Sequence, residues 1–217
     1  MPGLLFDMDG VLYEGERPVA GAAGVIRWCR DQTIPHLFLT NTTSRPRQAL
    51  ARKLERMGIH IDAGQILTPP VAALRWLRQH ARGPVALFVP EATRGEFAEC
   101  EIAADDYPGP VAAVVVGDLG EGWDFATLNR AFRLLMDPAE PPLVALGMTR
   151  YWRAEDGLRL DTGPFVRALE YACGREAVVL GKPAAEFFHA GVENSAAGLP
   201  STTASRPHAY SRARTKG

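Results

Sequence analysis

Short apolar runs that end abruptly in polar residues alternate along this chain with stretches whose apolar positions recur every three to four residues. Leu4-Leu5-Phe6 is too short for a helix and stops at Asp7-Met8-Asp9-Gly10, so it reads as a buried parallel strand that delivers two carboxylates into a turn. Residues 13–18 are a polar turn, and residues 21–31 place Ala22, Val25, Ile26 and Cys29 at helical spacing, which completes a first β-α unit. Residues 35–41 repeat the apolar run with a polar end, now Thr40-Asn41, as a second strand. Ser44 offers an N-cap for a helix that carries Ala49, Leu50, Leu54 and Met57, and Gly58 offers its stop. Along that helix Arg45, Arg47, Arg52, Lys53 and Arg56 read as a solvated basic face, with Arg45 near enough to Thr40 in sequence to reach an anionic substrate. Ile66-Leu67-Thr68 is a third short strand, after which Pro69-Pro70 breaks direction and marks a domain boundary.

From residue 71 to about residue 177 a second alternation is self-contained. Helices are predicted over 71–80, with Leu74 and Leu77 inward, over 125–136 and over 163–173, the last with Val166, Leu169 and Tyr171 among its bulky positions. Strands are predicted over 85–89, 111–116 and 143–146, the second a β-branched run suited to full burial. Gly117-Asp118-Leu119-Gly120-Glu121-Gly122 lacks the GxGxxG spacing and reads as a mobile loop, while Asp105-Asp106 reads as a solvated pair. Val178-Val179-Leu180 is one more strand, ending at Gly181-Lys182-Pro183, and residues 184–190 start a helix. The expected class is therefore α/β.

Bulk properties narrow the partners. With 217 residues, 47% of them hydrophobic, the chain can bury real cores as one large or two modest domains. Its 24 basic and 25 acidic residues leave a net charge of −1, which recruits neither nucleic acid nor an anionic membrane, so a small anion has to be held by local groups. Cys29, Cys100 and Cys173 are odd in number and far apart, without CxxC or His at ligand spacing, which suggests reduced thiols. With no long apolar run at the start or elsewhere, the expected location is the cytoplasm.

The candidate chemistry begins at Asp7 and Asp9. They straddle one residue, so both fall on one side of an extended chain, and two like charges that close call for a cation such as Mg²⁺ between them. An ordinary polar turn is the competing reading. Residues 4–12 match hhhDxDGVL, and with Thr40 and Lys182 at later strand ends the chain resembles the haloacid dehalogenase superfamily of phosphotransferases. That resemblance implies Asp7 as the nucleophile that becomes an aspartyl phosphate, Asp9 as general acid and then base, and both residues at a Mg²⁺ site. It implies Thr40, Asn41 and Lys182 as phosphate-binding residues, Lys182 neutralising the nucleophile and the phosphoryl oxygens. A P-loop around Gly181-Lys182 fails, because Pro183 stands where Ser or Thr is required.

The position of the insert, and the runs 148–153, 155–158 and 161–172, resemble the cap of the superfamily's class II, subclass A. This implies a Rossmann-like parallel sheet core, incomplete at the C-terminus, with an inserted α/β cap domain. The expected division is core over 1–69, cap over 70–177, core again over 178–191, and a tail over 192–217 whose Ser, Thr, Arg, Pro and Ala content suits disorder. The superfamily expects a further strand and an acidic pair after Lys182, yet no aspartate follows it here, and Glu193 is the only nearby acid. Without that strand, the one carrying Asp7 becomes an exposed apolar edge. The implied activity is Mg²⁺-dependent hydrolysis of a small phosphorylated substrate, pyrophosphate or a phosphoamino acid, and the resemblance allows a homodimer through the cap. The alternative is a catalytically impaired, truncated or frameshifted remnant, with an aberrant tail over 192–217, that at most binds phosphate or a partner.

Overall fold

A computed structural model of the chain describes residues 3–154 and 156–189. Its first half runs β1 (Leu4–Asp7), β2 (Tyr13–Glu14), β3 (Arg17–Pro18), α1 (Ala22–Asp31), β4 (His36–Leu39), α2 (Arg47–Arg56), β5 (Ile66–Leu67) and α3 (Pro69–His80). The second half runs β6 (Val85–Phe88), α4 (Glu91–Arg94), β7 (Ala113–Val116), α5 (Phe125–Leu135), β8 (Leu143–Ala145), β9 (Tyr151–Ala154), β10 (Gly157–Leu160), α6 (Thr162–Cys173) and β11 (Val178–Val179). β1, β4 and β5 form one parallel sheet in that order, and β11, β8, β7 and β6 form a second. The pairs β2-β3 and β9-β10 are antiparallel hairpins. The α/β class expected from the alternation of apolar runs and amphipathic stretches is the class observed.

Burial explains which strands were legible. All four residues of β7 are 0% exposed, as a strand covered on both faces by helices requires, and such strands read as continuous apolar runs. β1 is different: among the described residues it is the edge of its sheet, with Leu4 39% and Leu5 51% exposed. This is the exposed apolar edge expected of it. Leu39 and Leu67, at the ends of β4 and β5, share one buried cluster with Val85, Val115 and Val144 of the second sheet, sealed by Val71 and Leu77 of α3 and by Phe187. The two sheets are thus packed through α3.

Several local expectations are corrected. Ser44 does not cap α2; Pro46 stands at that position, and the N–H of Arg47 donates to Oε1 of Glu96, a residue 49 positions away. The basic face of α2 is not wholly solvated, since Lys53 is 8% exposed. Pro69 and Pro70 open α3, where a missing N–H costs nothing. Val25, at helical spacing in α1, and Tyr171, among the bulky positions of α6, are 48% and 93% exposed. Residues 13–18, expected as a turn, form the hairpin β2-β3, and the hairpin β9-β10 was not expected at all. β11 pairs with β8 of the second sheet, although residues 178–191 were expected with the first. The tail over 192–217, with Glu193, lies outside the described residues. Among the described residues no helix is long and apolar enough to cross a membrane.

Phe38 of β4 is 0% exposed at the heart of the first sheet's cluster. Phe38→Ala is expected to lower the free energy of unfolding by about 3–5 kcal/mol, because the vacated volume cannot fully collapse. Chemical denaturation read by circular dichroism checks it, and a loss under about 1 kcal/mol would show that this core is loosely packed.

Candidate functional site

The site starts where β1 ends. Met8, between the two carboxylates, is 0% exposed, and its carbonyl accepts the N–H of Leu12 at 2.8 Å, so the chain turns around a buried anchor. Gly10 takes φ +76°, a conformation that side chains strain, and its N–H donates to the Tyr13 carbonyl at 2.8 Å. With Met8 turned inward, Asp7 and Asp9 both line one open cavity of about 880 Å³.

Lys182 comes to the same place from 175 residues away, its Nζ donating to Asp7 Oδ1 at 2.6 Å. The Met8 N–H donates to the same oxygen at 2.8 Å. Asn41 sets the position of Lys182: its Oδ1 accepts the Lys182 N–H at 2.7 Å and its Nδ2 donates to the Lys182 carbonyl at 3.1 Å. Both ends of the Asn41 amide are thereby engaged by backbone. Gly181 permits the approach, since a Cβ there would lie 2.7 Å from the Leu146 carbonyl oxygen. Thr40 is 4% exposed, and its Oγ1 accepts the Thr42 N–H at 3.2 Å and lies 2.9 Å from the Thr42 hydroxyl. All five sequence-predicted residues, Asp7, Asp9, Thr40, Asn41 and Lys182, therefore line the one cavity.

The loop from Thr40 to Arg47 is fastened to the second half of the molecule at three points. Besides Asn41, Thr43 accepts the Asp118 N–H at 3.3 Å, and Arg47 donates to Glu96 through both its backbone N–H and its Nε, each at 2.9 Å. The Glu96 side chain is 4% exposed, and two charge-assisted bonds offset the cost of burying it. On the cavity wall Lys53 places its Nζ 4.1 Å from the Tyr13 ring centroid and 3.3 Å from Glu16. Burial pushes the Tyr13 hydroxyl pKa up, the charge of Asp9 adds to this, and Arg45 opposes it.

The second half of the chain contributes Asp118, Asp161, Trp152 and Arg153 to the same cavity. None of these four was singled out from the sequence. Asp118 sat in a stretch read as a mobile loop, which instead ends in a turn of 3₁₀ helix over Gly120–Gly122. Burial pushes the Asp118 carboxyl pKa up, the Asp161 charge adds to this, and the Gly120 N–H opposes it. Asp161 itself caps α6, accepting the Thr162 N–H at 2.6 Å.

Among the described residues no three His, Cys, Asp or Glu side chains gather at metal-ligand distance. Asp7 and Asp9 nonetheless offer an all-oxygen donor set facing the cavity, and Asp9 makes no side-chain hydrogen bond or ion pair among the described residues. Such donors suit a hard divalent cation.

Comparison with known proteins supplies the relatives. The family model described as "Haloacid dehalogenase-like hydrolase" matches residues 4–103. The chain is similar to the phospholysine phosphohistidine inorganic pyrophosphate phosphatase of Rattus norvegicus, with 35% identity over 195 residues covering 88% of this chain and 70% of the relative. It is also similar to the haloacid dehalogenase-like hydrolase domain-containing protein 2 of Mus musculus, with 35% identity over 188 residues covering 87% of this chain and 69% of the relative. Among solved structures, a hypothetical protein from Pyrococcus horikoshii superposes with a TM-score of 0.82 at 25% identity, covering 89% of this chain and 76% of its own. A p-nitrophenyl phosphatase from Archaeoglobus fulgidus gives 0.79 at 24% identity, covering 89% and 74%, and shares the fold. A glycerol phosphate phosphatase from Mycobacterium tuberculosis in complex with calcium gives 0.77 at 26% identity, covering 89% and 56%.

The raised pKa of Asp118 has a defined sign in stability. Between the ordinary aspartate pKa and the raised one the folded chain holds more protons than the unfolded chain, so stability falls as pH rises through that window. Asp118→Asn removes the penalty and is expected to raise Tm at pH 7, with the gain vanishing below about pH 4, where an ordinary aspartate is itself protonated. Melting curves across pH check this, and a variant less stable than the parent at pH 7 would show that the charged form is the one the fold favours.

Proposed function

The chain belongs to the haloacid dehalogenase-like hydrolases, and on that premise we propose that it hydrolyses phosphoric monoester, phosphoamide or pyrophosphate bonds through an aspartyl phosphate. The observation that carries this is the Lys182–Asp7 contact of 2.6 Å at the end of β1, inside a cavity large enough for a small phosphorylated molecule. Asp7 Oδ1 is held by Lys182 and by the Met8 N–H, which leaves Oδ2 to attack phosphorus. As the new O–P bond forms, the bond to the leaving oxygen or nitrogen breaks and Asp9 gives that atom its proton. Asp9, now a carboxylate, takes a proton from water; the water oxygen bonds to phosphorus, the Asp7 O–P bond breaks, and phosphate leaves. Lys182 lowers the repulsion between carboxylate and phosphoryl oxygens, Thr40 offers its hydroxyl to one of those oxygens, and Asn41 acts by holding Lys182. The Asp7 carboxylate and the Asp9 backbone carbonyl would hold Mg²⁺, which would supply positive charge to screen the phosphoryl oxygens.

In this reading the three-stranded sheet is the core and the four-stranded sheet with its helices is the cap, with the boundary after Val179 rather than before Val178. The hairpin β9-β10 exposes the side chains of Tyr151, Leu158 and Leu160, which would suit a homodimer through the cap. Three free cysteines suit a cytoplasmic location. A remnant that only binds phosphate is less well supported, because residues up to 175 positions apart still meet in one hydrogen-bonded cluster around Asp7.

Asp7→Asn keeps the shape and removes the nucleophilic charge, so turnover of p-nitrophenyl phosphate in Mg²⁺ is expected to disappear; equal rates for variant and parent would remove Asp7 from this role. Asp9→Asn is expected to slow turnover by about 10²- to 10⁴-fold, the usual contribution of a general acid and base. Rapid quench with a ³²P-labelled substrate checks that variant, which should accumulate phosphoenzyme if water activation becomes limiting. An unchanged rate would mean that another group moves the proton.

A further inference from the structure

The cavity holds more positive charge than its phosphate end uses. Lys182 is committed to Asp7 at 2.6 Å, and Lys53 to Glu16 at 3.3 Å and to the Tyr13 ring. Arg45, on the loop after β4, and Arg153, on β9 of the opposite hairpin, line the same cavity, and neither makes a side-chain hydrogen bond or ion pair among the described residues. Among the described residues none of the acids that line the cavity forms an ion pair with either arginine. Asp161 caps α6, accepting from the N–H and the hydroxyl of Thr162 at 2.6 and 3.1 Å. Burial pushes the Asp118 carboxyl pKa up, and the Asp161 charge adds to this. Asp7 and Asp9 serve the phosphate end. A guanidinium presents a planar fork of donors that matches a carboxylate or a phosphate, so one left without a partner on a concave wall is a recognition group in waiting.

We propose that Arg45 and Arg153 form a second anion subsite on the leaving-group side of the cavity, and that the preferred substrates carry a phosphate or carboxylate a few bonds from the phosphoryl group that is transferred. The two arginines come from the two halves of the molecule, one on the loop after β4 and one on β9, and line the same cavity. This rests on the phosphatase reading above and deepens it. Pyrophosphate and acid-bearing monoesters then rank above phosphoamides whose leaving group is an amine.

The test is calorimetric titration of the whole chain, in Mg²⁺ buffer, with four unhydrolysable probes. Methylenediphosphonate carries a second phosphate-like group, phosphonoacetate a carboxylate, methylphosphonate no second charge, and aminomethylphosphonate an ammonium. At least one of the first two is expected to bind about tenfold tighter than methylphosphonate, the worth of roughly one charge-assisted hydrogen bond, and whichever is tighter names the anion. In Arg45→Gln/Arg153→Gln that preference is expected to shrink below about threefold; should the double variant melt early, the single variants are read in the same way. Equal binding of all four probes by the parent, a preference that survives both substitutions, or tightest binding of aminomethylphosphonate would overturn the subsite. Turnover of p-nitrophenyl phosphate by the same parent sample is read alongside. Turnover without dianion preference sinks the subsite alone, and dianion preference without turnover sinks the phosphatase reading alone.

Discussion

Lys182 and Asp7 meet at 2.6 Å across 175 residues, and the geometry of the first sheet is arranged to make that meeting dependable. The contact does not hold itself together. Asp7 is 49% and Lys182 19% exposed at the side chain, and an ion pair so open to water is worth about 1 kcal/mol or less. What fixes it is the surrounding frame: Met8 buried beneath Asp7, the Asn41 amide gripping both backbone groups of Lys182, and a glycine at 181 where a Cβ would strike the Leu146 carbonyl. A weak interaction can serve chemistry when its partners are placed by strong packing. The electrostatics is then available to a reacting phosphoryl group rather than consumed in stability.

The same frame ties the two halves of the chain together. The loop from Thr40 to Arg47 carries residues of the cavity floor, yet Asn41, Thr43 and Arg47 bond to Lys182, Asp118 and Glu96, all beyond α3 in the chain. Beneath it, Leu39 and Leu67 share a buried cluster with strands of the second sheet. A movement of one half against the other would therefore disturb the cavity floor as well as its roof. The buried carboxylate of Glu96 is the firmest of these ties, because breaking it would strand a charge away from water.

Much of the fold was legible along the chain because it is decided within a few residues. The uniform β-branched run of β7, the amphipathic spacing of α5 and the glycine after α2 each report a local constraint, whether burial on both faces, a single apolar stripe or a left-handed stop. The floor of the cavity was named as well, because Asp7 and Asp9 end the first strand-like run and the family resemblance implied Thr40, Asn41 and Lys182 at later strand ends. The hairpin β9-β10 was not, since its exposed strands mix arginines with aromatics and show no one-sided apolar pattern.

By itself the sequence determined the α/β class, the order of most elements and the carboxylates that the first strand presents, because periodicity and turn chemistry act between near neighbours. Only the tertiary structure decided that Glu96 rather than Ser44 satisfies the start of α2, that Lys53 is buried against Tyr13, that β11 joins β8, and that Asp118 and Arg153 line the cavity that holds Asp7. Each of those outcomes depends on which distant surface arrives alongside. No spacing within a segment encodes that arrival; it follows from the packing of α3 and the two sheets into one core.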